Sequence, residues 1–179
     1  VVGSSNSFVF EATSYVLIQF FHNPPPAGAK QLLKIIIINP VHLHHLFESR
    51  SRSMKQLVNT ARAPLPIGPY NQAVAFNGLL FVSGQIAIDP SSGNLVIDHI
   101  EAETHQVLQN LQAILEAGGS SLQKVLKATV FVKDMELFGR INAVYGEYFQ
   151  PEFAPARELV QVTALPKYVN IEISVIAQI

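Results

Sequence analysis

Three short stretches hold polar groups that no secondary-structure pattern requires. They are Ile67-Gly68-Pro69-Tyr70-Asn71-Gln72, Ser83-Gly84-Gln85 at the end of an apolar run, and Arg157-Glu158 directly after Pro155-Ala156. Each side chain suits a task. The Arg157 guanidinium is a planar fork that matches a carboxylate through two parallel hydrogen bonds. Arg157 leads into the apolar pair Leu159-Val160, and a surface ion pair with Glu158 or Glu147 is the plainer alternative. Glu172 interrupts the run Ile171-Glu172-Ile173-Ser174-Val175-Ile176. An acid in a strand usually marks its solvent face. Sealed by a neighbouring subunit, it could orient or deprotonate a water. Tyr70 places an aromatic hydroxyl on a rigid turn and reads either as a packing aromatic or as an acid. Asn142 falls among apolar helix residues, where it could cap a local hydrogen-bond network.

Other chemistries lack their groups. The chain has no cysteine, which excludes disulfides, thiolate metal sites and cysteine nucleophiles. The motifs G-x-S-x-G, H-E-x-x-H, G-x-x-x-x-G-K-[ST] and G-x-G-x-x-G do not occur, and no cofactor motif is visible. His99 and His105 stand six apart around Glu101 and Glu103, the wrong phase for one helical face, so no metal is expected there. His42, His44 and His45 cluster without defined partners and read as a solvated loop. The formal net charge is -1, and from Met54 onward eight Lys/Arg face eleven Asp/Glu. Nucleic-acid binding normally needs a basic excess to neutralise phosphates, so such a partner is disfavoured.

The elements that must position these groups are legible from Met54 onward. Leu57–Thr60 reads as a short strand, followed by a Pro- and Gly-rich loop from Ala63 to Pro69. Asn77-Gly78 between Ala73–Phe76 and Leu79–Ser83 predicts a hairpin, because a type I′ turn needs φ > 0 at both positions. Asp89-Pro90-Ser91-Ser92-Gly93 is a second turn. Val107, Leu108, Leu111, Ile114 and Leu115 make one apolar stripe, predicting a helix over Ile100–Ala117 with Gly118-Gly119 as its stop. Val125–Val132 reads as a strand. Asp134 caps a second helix over Glu136–Phe149, and Pro151 ends it. Val160–Val162 and Ile171–Ile176 are expected as the last strands. This order predicts an α+β domain, a mixed sheet with both helices on one face. The uncovered face of so small a sheet needs a partner, so a homo-oligomer is expected.

Residues 1–53 have another character, with two acids, four bases, four of the six histidines and the run Pro24-Pro25-Pro26. No apolar run reaches the ~20 residues of a membrane span, and Ile35–Ile38 stops at Asn39-Pro40. Three readings stay open: a targeting peptide, upstream sequence ahead of a start at Met54, or a real extension. The corresponding locations are the cytoplasm or, with a transit peptide, the mitochondrion.

Several blocks resemble the RidA/YjgF family, also called the translation-initiation-inhibitor or L-PSP endoribonuclease family. They are Ala63-Pro64 with Ile67-Gly68-Pro69-Tyr70, Val82-Ser83-Gly84-Gln85-Ile86, Ile114-Leu115-Glu116-Ala117-Gly118-Gly119, Val130-Phe131-Val132-Lys133-Asp134, Asn142-Ala143-Val144-Tyr145, Pro155-Ala156-Arg157 and Ile171-Glu172-Ile173. The resemblance covers about residues 55–179. It implies a chorismate-mutase-like fold and a homotrimer with clefts between subunits. It also implies hydrolysis of 2-iminobutanoate and 2-iminopropanoate, released by pyridoxal-phosphate enzymes such as threonine dehydratase, to 2-keto acids and ammonia. No cofactor or metal is implied. Arg157 matches the arginine that binds the substrate carboxylate and Glu172 the acid that positions water. Tyr70, Ser83, Gly84 and Asn142 match residues that line or support the cleft. The family's other roles leave two alternatives: a ligand-binding or chaperone-like stress-response trimer, and an endoribonuclease that inhibits translation. Two departures bear on substrate range. Glu158 stands where many members have Ser or Thr, and Leu159 where many deaminating members have Cys.

Overall fold

The computed structural model describes residues 54–179 and two short strands, β1 (Tyr15–Ile18) and β2 (Ile35–Ile38). The chain divides into two compact units, Val1–Ser51 and Arg52–Ile179. In the first, β1 and β2 pair antiparallel, Tyr15 opposite Ile38. The three histidines at 42, 44 and 45 and the remaining expectations for residues 1–53 lie outside the described residues.

The second unit is a six-stranded mixed sheet in the order β3-β4-β5-β8-β6-β7. Its strands are β3 (Gln56–Val58), β4 (Ala73–Phe76), β5 (Leu79–Gln85), β6 (Val125–Val132), β7 (Ala156–Gln161) and β8 (Ile171–Gln178). Within this sheet only β6 and β7 run parallel. Asn77 and Gly78 have φ of 50° and 77°, so the β4–β5 turn takes the expected left-handed conformation. Helices α1 (Ile100–Ala117) and α2 (Phe138–Tyr148) cover one face. Leu80, Val82, Ala128, Val130, Ile171, Ile173 and Val175 point from the sheet into the same core as Leu108, Leu111, Ile114, Ile141 and Val144 of the helices. The α+β architecture is the expected one. Among the described residues no helix is long and apolar enough to cross a membrane.

Five elements differ from their expected boundaries, for identifiable reasons. β3 stops at Val58 because Asn59 and Thr60 turn to bond Gln72 instead. β5 and β8 run on to Gln85 and Gln178, since Leu79 pairs with Gln178 and Gln85 with Ile173. Asp134 caps a 3₁₀ turn over Met135–Leu137, and the α-helix proper begins at Phe138. β7 begins at Ala156 rather than Val160, because parallel pairing with β6 supplies ladder bonds to Arg157 and Glu158, residues of weak strand preference.

The described residues of this unit leave the other face of the sheet open. Phe81 and Val160 are exposed there at 41% and 42%. They share that face with Lys127, Thr129, Phe131, Ser174 and Ile176, which pair across the strands in register.

Candidate active site

A cavity of about 380 Å³ opens where β5 and β8 meet the loops at one end of the sheet. Its floor is Ser83, Gly84, Gln85 and Glu172, and Tyr70 stands at one side. Apolar walls come from the Pro64–Ile67 loop, from Ile86 and Ile88, and from Pro166.

The floor depends on a β-bulge. Val82 pairs with Val175 and Gln85 with Ile173, so two residues of β5, Ser83 and Gly84, oppose the single residue Ser174. A bulge of this kind bends the strand and re-aims its side chains. Gly84 is the consequence of a close approach, because a Cβ built on it would lie 1.8 Å from Glu172 Oε1. Glu172 is half-buried on the uncovered face, and burial raises its carboxyl above the ordinary glutamate value. It has no hydrogen-bond or ion-pair partner among the described residues. Ser83 Oγ donates to the Asn71 carbonyl at 2.7 Å, which leaves its oxygen lone pairs to accept from another group. Tyr70 is 45% exposed, and its hydroxyl accepts from the Ile67 amide at 3.3 Å.

Three buried polar side chains pin the walls. Gln72 Nε2 donates to the carbonyls of Thr60, Ala63 and Pro64 at 3.0, 3.1 and 2.8 Å. Asn110 Nδ2, on α1, donates to the carbonyls of Ile86 and Ile88 at 3.1 and 2.9 Å. Glu103 accepts from the amides of Asn170 and Ile171 and from Asn170 Nδ2, anchoring the segment that follows Pro166. None of these three roles is evident from the residues alone, although each signal is present: a polar residue amid buried apolar neighbours. Gln72→Leu is expected to lower the unfolding free energy by about 2 kcal/mol, because buried backbone groups lose their partners. Urea denaturation with an unchanged m-value measures it.

The six residues singled out by sequence do not meet within one chain. Tyr70, Ser83, Gly84 and Glu172 converge on the cavity. Arg157 and Asn142 do not line it. Arg157 is opposite Ala128, itself opposite Val175, and both are core residues. Glu172 is opposite Phe131 on the uncovered face. The sheet therefore lies between Arg157 and Glu172. Asn142 is exposed on α2. Neither ion pair weighed for Arg157 forms. Glu158 faces away, bonded to Lys127 Nζ at 2.8 Å and Thr129 Oγ1 at 3.1 Å, and Lys127 holds its carboxyl below the ordinary range. His99 caps α1, its ring accepting from the Ala102 amide, and His105 Nδ1 lies 3.0 Å from the Tyr148 hydroxyl.

An open-faced α+β sheet with a largely apolar cavity holding an unpaired carboxylate has the features of a small-molecule site. The family model described as Endoribonuclease L-PSP matches residues 60–179, and the chain belongs to this family, also known as RidA/YjgF/RutC. A RutC family protein of Pyrococcus horikoshii is 52% identical over 69% of this chain and 98% of its own. A 2-iminobutanoate/2-iminopropanoate deaminase of Bos taurus is 44% identical, covering 71% of this chain and 92% of its own. The crystal structure of the Escherichia coli YjgF gene product superposes with a TM-score of 0.65 at 41% identity, covering 69% of this chain and 98% of that one. The fold is thus chorismate-mutase-like.

Proposed function

We propose that the chain hydrolyses 2-imino acids such as 2-iminobutanoate and 2-iminopropanoate to 2-keto acids and ammonia, using clefts completed between copies in a homotrimer. The observation that carries this reading is Glu172, an unpaired half-buried carboxylate of raised pKa beside Gly84 in a largely apolar cavity. The substrate class proposed is supported by the name of the bovine relative, a 2-iminobutanoate/2-iminopropanoate deaminase.

The chemistry asks little beyond placement. The carbon of a protonated imine is already electrophilic. A water held by Glu172 attacks it, forming the C–O bond as the water's proton passes to the carboxylate. That proton then moves from Glu172 to nitrogen, the C–N bond breaks and ammonia leaves, while the hydroxyl on C2 gives its proton to Glu172 and becomes a carbonyl; ammonia carries this last proton away as ammonium, restoring the carboxylate. Ser83 Oγ is suited to accept from an iminium N–H, since its own hydrogen is engaged by Asn71. Arg157 of the partner subunit, across the uncovered sheet face, holds the substrate carboxylate. Glu158 offers that carboxylate no free charge, being paired with Lys127. Orientation of this kind removes much of a barrier that needs no strong nucleophile.

The test couples the protein to a threonine dehydratase while semicarbazide competes for the imine. Wild type is expected to restore 2-ketobutyrate formation, and no restoration sinks the reading. Gly84→Ala sharpens it. The three atoms nearest the new Cβ all belong to the flexible Glu172 side chain, so the fold is expected to survive while the carboxylate is displaced. A displacement of about 1 Å is expected to cost about 10²-fold in kcat with little change in Tm.

A further inference from the structure

Arg157 is held in an unusual way for a half-buried cation. It has no carboxylate, carbonyl or hydroxyl partner among the described residues. Instead its Cζ lies 4.6 Å from the centroid of the Tyr145 ring. That ring is itself stacked on Phe149, with centroids 4.5 Å apart and planes 29° from parallel. Tyr145 and Phe149 are each only 5% exposed, so the platform is fixed in the core between α2 and the sheet. The Tyr145 hydroxyl is buried with no hydrogen-bond partner. The ring face, and not the hydroxyl, therefore accounts for the aromatic residue here.

A guanidinium resting on an aromatic face uses its π surface and leaves its in-plane N–H donors free. An ion pair would do the opposite, engaging the donors and cancelling the charge. We propose that Tyr145 is a positioning residue for Arg157: its ring, backed by Phe149, holds the guanidinium plane so that the N–H edge is presented outward to a carboxylate. This rests on the reading of Arg157 as the carboxylate-binding group.

The test compares Tyr145→Leu, which removes the platform, with Tyr145→Phe, which restores a ring without the orphan hydroxyl. Tyr145→Leu is expected to raise KM for the imino acid about tenfold, the scale of one partly desolvated cation–π contact, with kcat within about twofold. Tyr145→Phe is expected to recover the wild-type KM. In an Arg157→Lys background, Tyr145→Leu is expected to change KM less than about twofold, since the planar partner is already gone. Arginine side-chain NMR supplies a readout independent of turnover. Arg157 resonances are expected to be ring-current shifted upfield in wild type and Tyr145→Phe, and unshifted in Tyr145→Leu. Equal KM rises in the Phe and Leu variants would overturn the proposal. So would a full tenfold rise in the Lys background, or an unshifted Arg157 in the wild type. If wild type turns over no imino acid, the deaminase reading fails first. Titration with 2-ketobutyrate, followed on the Arg157 resonances, then decides: shifts that depend on the ring uphold the positioning role, and their absence ends it.

Discussion

The substitution Glu172→Gln is expected to lower kcat for imino-acid hydrolysis by about 10²–10⁴-fold, the range for loss of a positioned general base. KM should change little, because Glu172 acts on the water. The same substitution is expected to stabilise the fold at neutral pH. Burial raises the Glu172 carboxyl above the 4.5 of an ordinary glutamate. As pH climbs, the unfolded chain ionises first, so stability is greatest below the unfolded pKa and is lost as pH rises toward the folded one. The amide of the variant has no charge to bury, so its advantage vanishes at acid pH and is complete above the folded pKa. Urea denaturation at acid and at neutral pH reads this sign. In the wild type the acid limb of kcat/KM should lie above 4.5, where Glu172 protonates. Undiminished turnover in Glu172→Gln would remove Glu172 from the mechanism.

Arg157→Ala is expected to lower kcat/KM by about 10²–10³-fold, as truncating one side of a charge-assisted bidentate pair does. The placement of Arg157 and Glu172 on opposite faces of one sheet makes a sharper experiment available. Each variant alone retains at most about one per cent of wild-type activity under the proposed trimer. Mixed, unfolded and refolded together in equal amounts, they form clefts in which one copy supplies Glu172 and its neighbour supplies Arg157. About a quarter of wild-type activity is expected to return, because one random neighbour pairing in four is complete. No recovery, with mixed oligomers present by mass, contradicts a shared cleft. Activity in a stable monomer contradicts it equally.

Some of this was legible in the residues because the determinants are local. The hairpin follows from Asn77-Gly78, where both backbones take φ > 0. Helix α1 follows from a stripe of five apolar residues and the Gly118-Gly119 stop, and its limits agree with expectation. β6 likewise agrees, eight mostly apolar and β-branched residues with Lys127 and Thr129 alternating in. β7 was misplaced because Ala156-Arg157-Glu158 becomes a strand only by pairing with β6, some thirty residues upstream. Gln72, Asn110 and Glu103 gave no hint of what they hold, since their partners lie 8 to 68 residues away. Tyr145 read as one more buried residue of a helix. Its second role needed the approach of Arg157 from another element.

By itself the sequence determined the class of fold, the family through its ordered blocks, the absence of thiol chemistry, and which polar residues merit attention. Tertiary structure decided the rest. The helices choose which sheet face becomes core, and that choice sends Arg157 toward Tyr145 and leaves Glu172 on the uncovered face. The bulge at Ser83-Gly84 brings the β5 backbone against the Glu172 carboxylate. Both outcomes arise from contacts between segments far apart in the chain, whose geometry no single stretch of residues encodes.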